Sequence, residues 1–203
     1  MIKNITIIMC EFSTTDERII TATFKLLQKE GFSKTTTKKI AAKAEVSEIT
    51  IFRNFKNKDN LIKITKEYYL EKFLAQLEEI FDFNDGDEID EYLQSNFIGL
   101  LNLSDADFSI IKVAMEEVRD IPEKKQLISR ITTTVIDKLD KFFQVQIEKG
   151  KIRPIDSRVL AMMCFGITFQ SIILWKIYDK SPSVETSQYA NDFLDILYNG
   201  IIA

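Results

Sequence analysis

Apolar residues recur every three or four positions along most of this chain, and strand-like alternation is not sustained anywhere. This spacing predicts α-helices separated by short polar stretches. Only six glycines and three prolines occur in 203 residues, which favours long helices. We therefore predict an all-α fold of about nine helices. The predicted stretches are 16–30, a short one ending at 44, 47–55, 58–80, 87–103, 105–118, 122–149, 156–178 and 189–201.

Residues 31–61 hold two short helical patterns with almost no room between them. The first ends at Ala44, and the second is Ser47–Phe55. Only Glu45 and Val46 lie between them, a gap that suits two helices joined by a turn of about three to four residues. The pattern predicts an N-terminal three-helix helix-turn-helix head joined to a C-terminal helical bundle. Such a head is typical of proteins that bind DNA.

The order of residues around these two helices resembles the TetR family of transcriptional regulators. In that family the pattern is roughly Gly-Phe, Thr-Thr, Ile-Ala, Ala-Gly-Val-Ser, Gly-Thr-Leu-Tyr, x-His-Phe and x-x-Lys-Glu-x-Leu. The upstream helix 16–30 and its expected C-terminal cap, Gly31, precede the matching residues. Those residues are Gly31-Phe32, Thr35-Thr36-Thr37, Ile40-Ala41, Val46-Ser47, Thr50-Ile51-Phe52, Phe55 and Lys58-Asp59-x-Leu61.

Four positions depart from the family pattern. Glu45 replaces the usual turn glycine, and a left-handed backbone there costs a non-glycine residue about 1 kcal/mol. Ile49 replaces a small residue, Phe52 replaces a tyrosine, and Asn54 replaces a histidine. These changes leave the expected fold intact and alter the individual contacts to DNA.

Charge is distributed unevenly along the chain. The whole chain has a net charge of −4, but residues 13–60 hold ten basic and six acidic side chains, a net of +4. Residues 61–203 carry a net of −8. The basic segment coincides with the helix-turn-helix, as expected for binding to phosphate. We predict an N-terminal tail (1–12), a DNA-binding domain (13–62) and a helical ligand-binding and dimerisation domain (63–203).

The residue types argue against catalysis and metal binding. The chain has no histidine, the commonest acid–base residue and metal ligand. Cys10 and Cys164 are its only cysteines, and we expect Cys164 to be a buried, reduced thiol. A glycine-rich phosphate loop is also missing. We therefore predict no catalytic residue, no metal and no cofactor.

Two apolar stretches bear on localisation. Residues 1–12 lack the hydrophobic core of a signal peptide, and Met9 is an alternative start. Residues 159–178 approach the length of a membrane span, but polar residues interrupt them. We expect this segment to be a helix buried on nearly all sides, and the protein to be cytoplasmic without membrane contact.

The second short helix is the predicted recognition helix, whose first turn would approach base edges in the major groove. Val46, Ile51 and Phe55 are expected to pack inside the head. By the resemblance, Thr36, Thr37 and Lys58 match phosphate-contacting positions, and Arg53 could contact either guanine or phosphate. The predicted DNA-binding residues are Thr36, Thr37, Lys38, Ser47, Glu48, Ile49, Thr50, Phe52, Arg53, Asn54 and Lys58.

One such head contacts few base pairs, so we predict a homodimer on a palindromic double-stranded operator. The last two helices carry surplus apolar residues, and the resemblance implies that they form the dimer interface. It also implies a small effector in the bundle that releases a repressor from DNA; an apolar or aromatic compound fits best. The candidate ligand-binding residues are Phe97, Phe108, Met115, Phe142, Met163, Phe165, Phe169 and Trp175. The alternative is a helical sensor or interaction protein that has lost specific DNA binding.

Overall fold

The computed structural model describes residues 12–120, 126–178, 180 and 185–199. These residues form nine α-helices and no strand, as the spacing predicts. The predicted start of the helix 122–149 and the predicted end of the helix 189–201 lie outside the described residues. The helices are α1 (Thr14–Lys34), α2 (Thr37–Ala44), α3 (Glu48–Phe55), α4 (Lys58–Ile80), α5 (Ile89–Asn102), α6 (Asp105–Asp120), α7 (Gln126–Glu148), α8 (Ser157–Ile172) and α9 (Thr186–Asn199). A π-helical turn, Ile173–Ile177, continues α8.

Helix α1 begins two residues earlier than predicted, because Ser13 and Asp16 form a capping box. The Ser13 hydroxyl accepts a hydrogen bond from the Asp16 N–H, and the Asp16 carboxylate accepts one from the Ser13 N–H at 3.2 Å. Gly31 interrupts the helix with φ 74° and ψ 176°, a conformation that is essentially confined to glycine. One further turn follows to Lys34.

The first four helices enclose a hydrophobic core. Ile40, Ala41 and Ala44 of α2 are buried, and so are Ile51 and Phe55 of α3, while Val46 packs against their edge. Small Ala41 and Ala44 let α2 and α3 approach closely. The burial predicted for Val46, Ile51 and Phe55 is therefore confirmed, although Val46 is only partly covered.

The contacts divide the chain into two compact units. The first contains the residues up to Ala75 together with Ser109–Ile128, and the second contains Gln76–Phe108 together with Ser129–Ala203. Helix α4 contributes residues to both. The functional division of the chain at residue 62 stays a prediction.

In the second unit, aromatic side chains of α5 and α7 form much of the core. Tyr92 stacks on Phe142 with ring centroids 3.8 Å apart, and Phe142 and Phe143 are fully buried. Burial raises the pKa of Tyr92, whose hydroxyl donates to the Phe81 carbonyl at 3.0 Å. Cys164 is also buried, and burial raises the pKa of its thiol to about 12. The predicted buried thiol is confirmed.

The expectation that α8 is buried on nearly all sides is wrong. Ser157–Ile177 is the one stretch of the described chain apolar and long enough to cross a membrane, and 33% of its most apolar window is buried. One face packs inside the unit through Leu160, Ala161 and Cys164. The opposite face is exposed and mostly apolar. We call this face the α8 stripe; it consists of Val159, Met162, Met163, Gly166, Ile167 and Gln170.

Candidate DNA-binding site

Helix α3 presents one buried and one exposed face. Ile51 and Phe55 hold it on the core, and they are 0% and 2% exposed. Ile49 is 79% exposed and Phe52 is 48% exposed, although both are large apolar residues. Exposing such side chains on a short helix is unfavourable unless another surface covers them. The structure therefore presents the outer face of the predicted recognition helix to solvent, together with Arg53 and Asn54.

The starts of α2 and α3 are capped by hydroxyl side chains. Thr36 is exposed, and its side chain accepts a hydrogen bond from the Lys39 N–H at 3.3 Å. Ser47 accepts one from the Thr50 N–H at 3.1 Å, and the two hydroxyls lie 2.9 Å apart. The remaining free N–H groups and the helix dipole make both starts suitable for a phosphate. Lys38, which is exposed, adds positive charge at the start of α2.

Glu48 and Thr37 are joined across the two helices. The Thr37 hydroxyl donates a hydrogen bond to the Glu48 carboxylate at 2.7 Å, and both side chains are half-buried. Because this bond uses the only proton of the Thr37 hydroxyl, the hydroxyl can accept a hydrogen bond but cannot donate one to a phosphate oxygen. It also holds the Glu48 carboxylate at the start of α3, where the helix dipole favours negative charge.

Arg53 and Asn54 belong to a hydrogen-bonded chain that ends at α1. The Arg53 Nε donates to the Asn54 Oδ1 at 3.1 Å, and the Asn54 Nδ2 donates to the Asp16 Oδ1 at 2.7 Å. Partial burial raises the pKa of Asp16, but hydrogen bonds from Ser13 and Asn54 and the Arg53 charge together lower it below its ordinary value. The carboxylate therefore stays ionised at neutral pH and fixes Asn54, which in turn orients Arg53.

Lys58 lies at the start of α4 beside Phe32. Its Nζ donates to the Phe32 carbonyl at 3.2 Å and lies 4.6 Å from the centroid of the Phe32 ring. These contacts hold the ammonium group close to the helix-turn-helix. An ammonium carries three donors, so two remain for other acceptors.

The turn between α2 and α3 has the left-handed backbone expected from the missing glycine. Glu45 has φ 54° and ψ 48°, and its N–H caps the carbonyls of Ala41 and Ala42. The Arg18 guanidinium of α1 donates to the Ala44 carbonyl at 2.6 Å and lies 3.4 Å from the Glu45 carboxylate. These contacts hold the turn against α1.

Two residues of the head have roles that the sequence did not reveal. Asp16 anchors Asn54, and Arg18 holds the turn between α2 and α3. Asp16 and Arg18 are 38 and 26 positions away from the residues they contact, so local spacing could not reveal them. Lys56, between α3 and α4, is also exposed, with φ 68°.

The structure separates the candidate ligand-binding residues. Phe97 and Phe165 line a cavity in the second unit, whereas Phe108 and Phe142 are buried core residues that line neither described cavity of that unit. Phe169 stacks on Phe165 at 5.0 Å, and Trp175 packs edge-on against Phe97 at 5.9 Å. The remaining two differ: Met163 is 58% exposed on the α8 stripe, and the side chain of Met115 lies outside the described part.

The sequence and fold were compared with known proteins. The family described as "Bacterial regulatory proteins, tetR family" matches residues 19–63. An HTH-type transcriptional regulator of Bacillus subtilis, YvkB, is 33% identical over 141 residues, which are 68% of this chain and 71% of the relative. The fatty acid metabolism regulator protein of the same bacterium is 27% identical over 187 residues, 91% of this chain and 94% of that protein.

Among solved structures, the transcriptional regulator FadR from Bacillus subtilis in complex with stearoyl-CoA has the same fold, with a TM-score of 0.68. It is 24% identical, and the match covers 92% of this chain and 99% of FadR. The family match covers α2, α3 and the exposed face described above, and the relatives extend it over the second unit. The chain therefore belongs to the TetR family, and it is a DNA-binding transcriptional regulator with a helix-turn-helix head.

Proposed function

We propose that this regulator binds a palindromic operator as a homodimer and is released from it by an acyl-CoA. The observation that carries the DNA-binding part is the exposed outer face of α3, where Ile49 and Phe52 lie in solvent beside Arg53. A helix held by two buried residues and carrying exposed residues on its other face suits the major groove.

Contacts to bases would come from the first turns of α3. Ile49 is suited to the methyl group of thymine, and Arg53 to guanine or phosphate. Phe52 and Thr50 would contact the groove walls beside them. Thr36, Lys38, Ser47 and Lys58 would bind phosphates through hydroxyl, N–H and ammonium groups. Because Thr37 donates to Glu48, we propose that this pair excludes unsuitable bases and positions α2 against α3.

Homodimerisation would cover the α8 stripe. Its residues lie three and four positions apart, so they form one continuous face of the helix. Gly166 lies in the middle, and a Cβ atom there would meet nothing within 4 Å in the single chain. A glycine at this place allows a second helix to approach closely. Exposed Ile196 and Tyr198 of α9 would extend the interface.

A second copy explains the stripe better than a membrane does. A dimer of this kind places two heads on one duplex, as a two-fold symmetric operator requires. The protein would then remain in the cytoplasm with the DNA that it regulates. Since its relatives regulate transcription, we propose that it has no catalytic role.

The ligand class is proposed from the relatives and from the chemistry of the second unit. A similar protein is a fatty acid metabolism regulator, and a protein of the same fold binds stearoyl-CoA. The space between α5, α7, α8 and α9 is small, and its lining is largely apolar, the character that an acyl chain requires. Release requires that the ligand bind more tightly to the arrangement that cannot hold DNA.

Salt dependence tests the DNA-binding part. On a selected operator, Lys58→Ala should weaken binding and reduce the slope of log affinity against log salt by about 1, because one phosphate contact is lost. Lys141→Ala removes an exposed lysine of α7, outside the head, and should change neither quantity. Equal slopes in all three proteins would contradict the assignment of Lys58.

Addition of a long-chain acyl-CoA should release the operator, and no release would contradict the ligand class.

A further inference from the structure

Phe32 and Lys58 meet in the head although they lie 26 positions apart in the chain. The Lys58 Nζ donates to the Phe32 carbonyl at 3.2 Å, and it lies over the Phe32 ring, 4.6 Å from its centroid. At this distance the face of an aromatic ring attracts a cation. The backbone and the ring of one residue therefore hold the same ammonium group.

The backbone beside Phe32 is fixed by its neighbours. Gly31, directly before it, has φ 74° and ψ 176°, a conformation essentially confined to glycine. The hydroxyl of buried Thr35 donates a hydrogen bond to the Gly31 carbonyl at 2.8 Å. These two residues hold the turn that carries Phe32, so its carbonyl and its ring have a defined place beside Lys58.

The contact leaves Lys58 able to bind a further group. Phe32 is 49% exposed and Lys58 is half-buried, so solvent reaches both. The Phe32 carbonyl takes one of the three N–H donors of the ammonium, which leaves donors for a phosphate oxygen. A lysine that is already held in place loses less side-chain freedom when it binds a phosphate.

The ring also leaves the charge of Lys58 uncompensated, because an aromatic ring is neutral. Lys39 of α2 shows the contrast, since its ammonium pairs with the Glu30 carboxylate. A carboxylate beside a lysine offsets the positive charge that attracts a phosphate, whereas an aromatic ring orients the lysine and preserves that charge.

We propose that Phe32 is a positioning residue for DNA binding, whose ring holds the Lys58 ammonium where a phosphate of the duplex binds it. This inference rests on the proposed phosphate contact of Lys58. Phe32 acts through Lys58 and needs no contact of its own with DNA. The affinity for DNA should therefore depend on the electron density of the Phe32 ring, and only while Lys58 is present.

The test changes the electron density of the ring and keeps its shape. Fluorine atoms withdraw electrons from the face of a phenyl ring, so they weaken its attraction for a cation with little change in size. Phe32 is replaced by mono-, di- and trifluorinated phenylalanine, both in the wild-type chain and in Lys58→Ala. Fluorescence anisotropy measures binding to duplex DNA of random sequence, because phosphate contacts do not depend on sequence.

Lys72→Ala is the matched control for the loss of a lysine. Lys72 also belongs to α4 and also lies over an aromatic ring, with its Nζ 4.8 Å from the centroid of Tyr68. It lies about 21 Å further along the helix than Lys58, which is beyond the screening distance at physiological salt. Lys72→Ala should therefore bind DNA like the wild type, and Lys58→Ala should bind more weakly.

In the wild-type chain the affinity should fall with each added fluorine, by about two- to fivefold over the series, the strength of an exposed cation–π contact. In Lys58→Ala the series should be flat, because no ammonium remains above the ring. An affinity that stays constant or rises in the wild-type series would show that the ring does not help Lys58 to bind phosphate. An equal fall in both series would show that Phe32 acts without Lys58.

The phosphate contact of Lys58 is judged separately from the role of Phe32. If Lys58→Ala binds more weakly than Lys72→Ala but the wild-type series is flat, the phosphate contact stands and the role of Phe32 is overturned. If Lys58→Ala binds as tightly as the wild type, both are overturned.

Discussion

At the scale of single residues, the head depends on side chains that orient one another before DNA arrives. Arg53 is held by Asn54, and Asn54 is held by Asp16 of another helix. Pre-orientation of an arginine reduces the entropy lost when it binds a base or phosphate. Asn54 was predicted as a DNA contact, and in the structure both ends of its amide are already engaged. We propose that it acts on DNA through Arg53.

Asp16→Ala should therefore weaken operator binding several-fold, although Asp16 is not a predicted DNA contact. The variant also loses the capping box of α1, which costs about 1 kcal/mol of stability. Ser13→Ala loses the same cap and keeps the Asp16–Asn54 bond, so it is the matched control. Urea unfolding should find both variants similarly destabilised, and fluorescence anisotropy should find only Asp16→Ala impaired on the operator. Equal operator affinity in the two variants would remove Asp16 from this role.

The same carboxylate predicts a dependence on pH. Its pKa is lower in the folded protein than in the unfolded chain, where it is about 4. The stabilisation from the ionised group is therefore complete above the unfolded pKa and is lost as the pH falls through the folded pKa. The difference in unfolding free energy between wild type and Asp16→Ala should be constant from pH 7 to about 5 and narrow below about 4. A difference that persists unchanged at pH 3 would contradict this.

At the scale of helices and turns, the turn between α2 and α3 shows how the chain accommodates a departure from its family. Glu45 has a left-handed backbone, which glycine adopts without strain. Glu45→Gly should leave stability unchanged or raise it by up to about 1 kcal/mol, because the Arg18 bond to the Ala44 carbonyl remains. Glu45→Val should lower stability by more than 1 kcal/mol. Thermal unfolding would measure both. A strongly destabilised glycine variant would show that the contacts of the Glu45 side chain outweigh the backbone strain.

Most of the helices could be predicted because their signals are local. Ser47 caps α3, and Ser104 and Asp107 form a capping box before α6, with the Ser104 N–H 2.9 Å from the Asp107 carboxylate. The hydrogen bonds that join Asp16, Asn54 and Arg53 could not be predicted, because these residues come together only after α1 packs near α3. Local spacing also cannot tell whether an apolar face meets its own chain or another molecule. For that reason the exposure of the α8 stripe was missed.

At the scale of the whole molecule, the α8 stripe predicts a dimer that one added side chain can disrupt. Gly166→Leu should leave the fold of one chain intact, since a side chain there starts in open space. In a dimer it should hold the two helices apart and raise the dissociation constant at least about tenfold. Gly86→Leu introduces the same side chain at another unobstructed glycine, in the turn before α5, and should have no effect. Sedimentation equilibrium would measure both. Equal dimerisation in the two variants, or a monomeric wild type at micromolar concentration, would exclude this interface.

The central claim is that two copies of α3, carried by one dimer, recognise a specific duplex. Selection of bound sequences from a random duplex pool, with wild type and Arg53→Ala in parallel, tests it most directly. The wild type should select a two-fold symmetric sequence whose half-sites are centred about one helical turn, or a multiple of it, apart. Arg53→Ala should select a weaker or less defined sequence. Selection of no shared sequence, or of a single site without symmetry, would contradict the account.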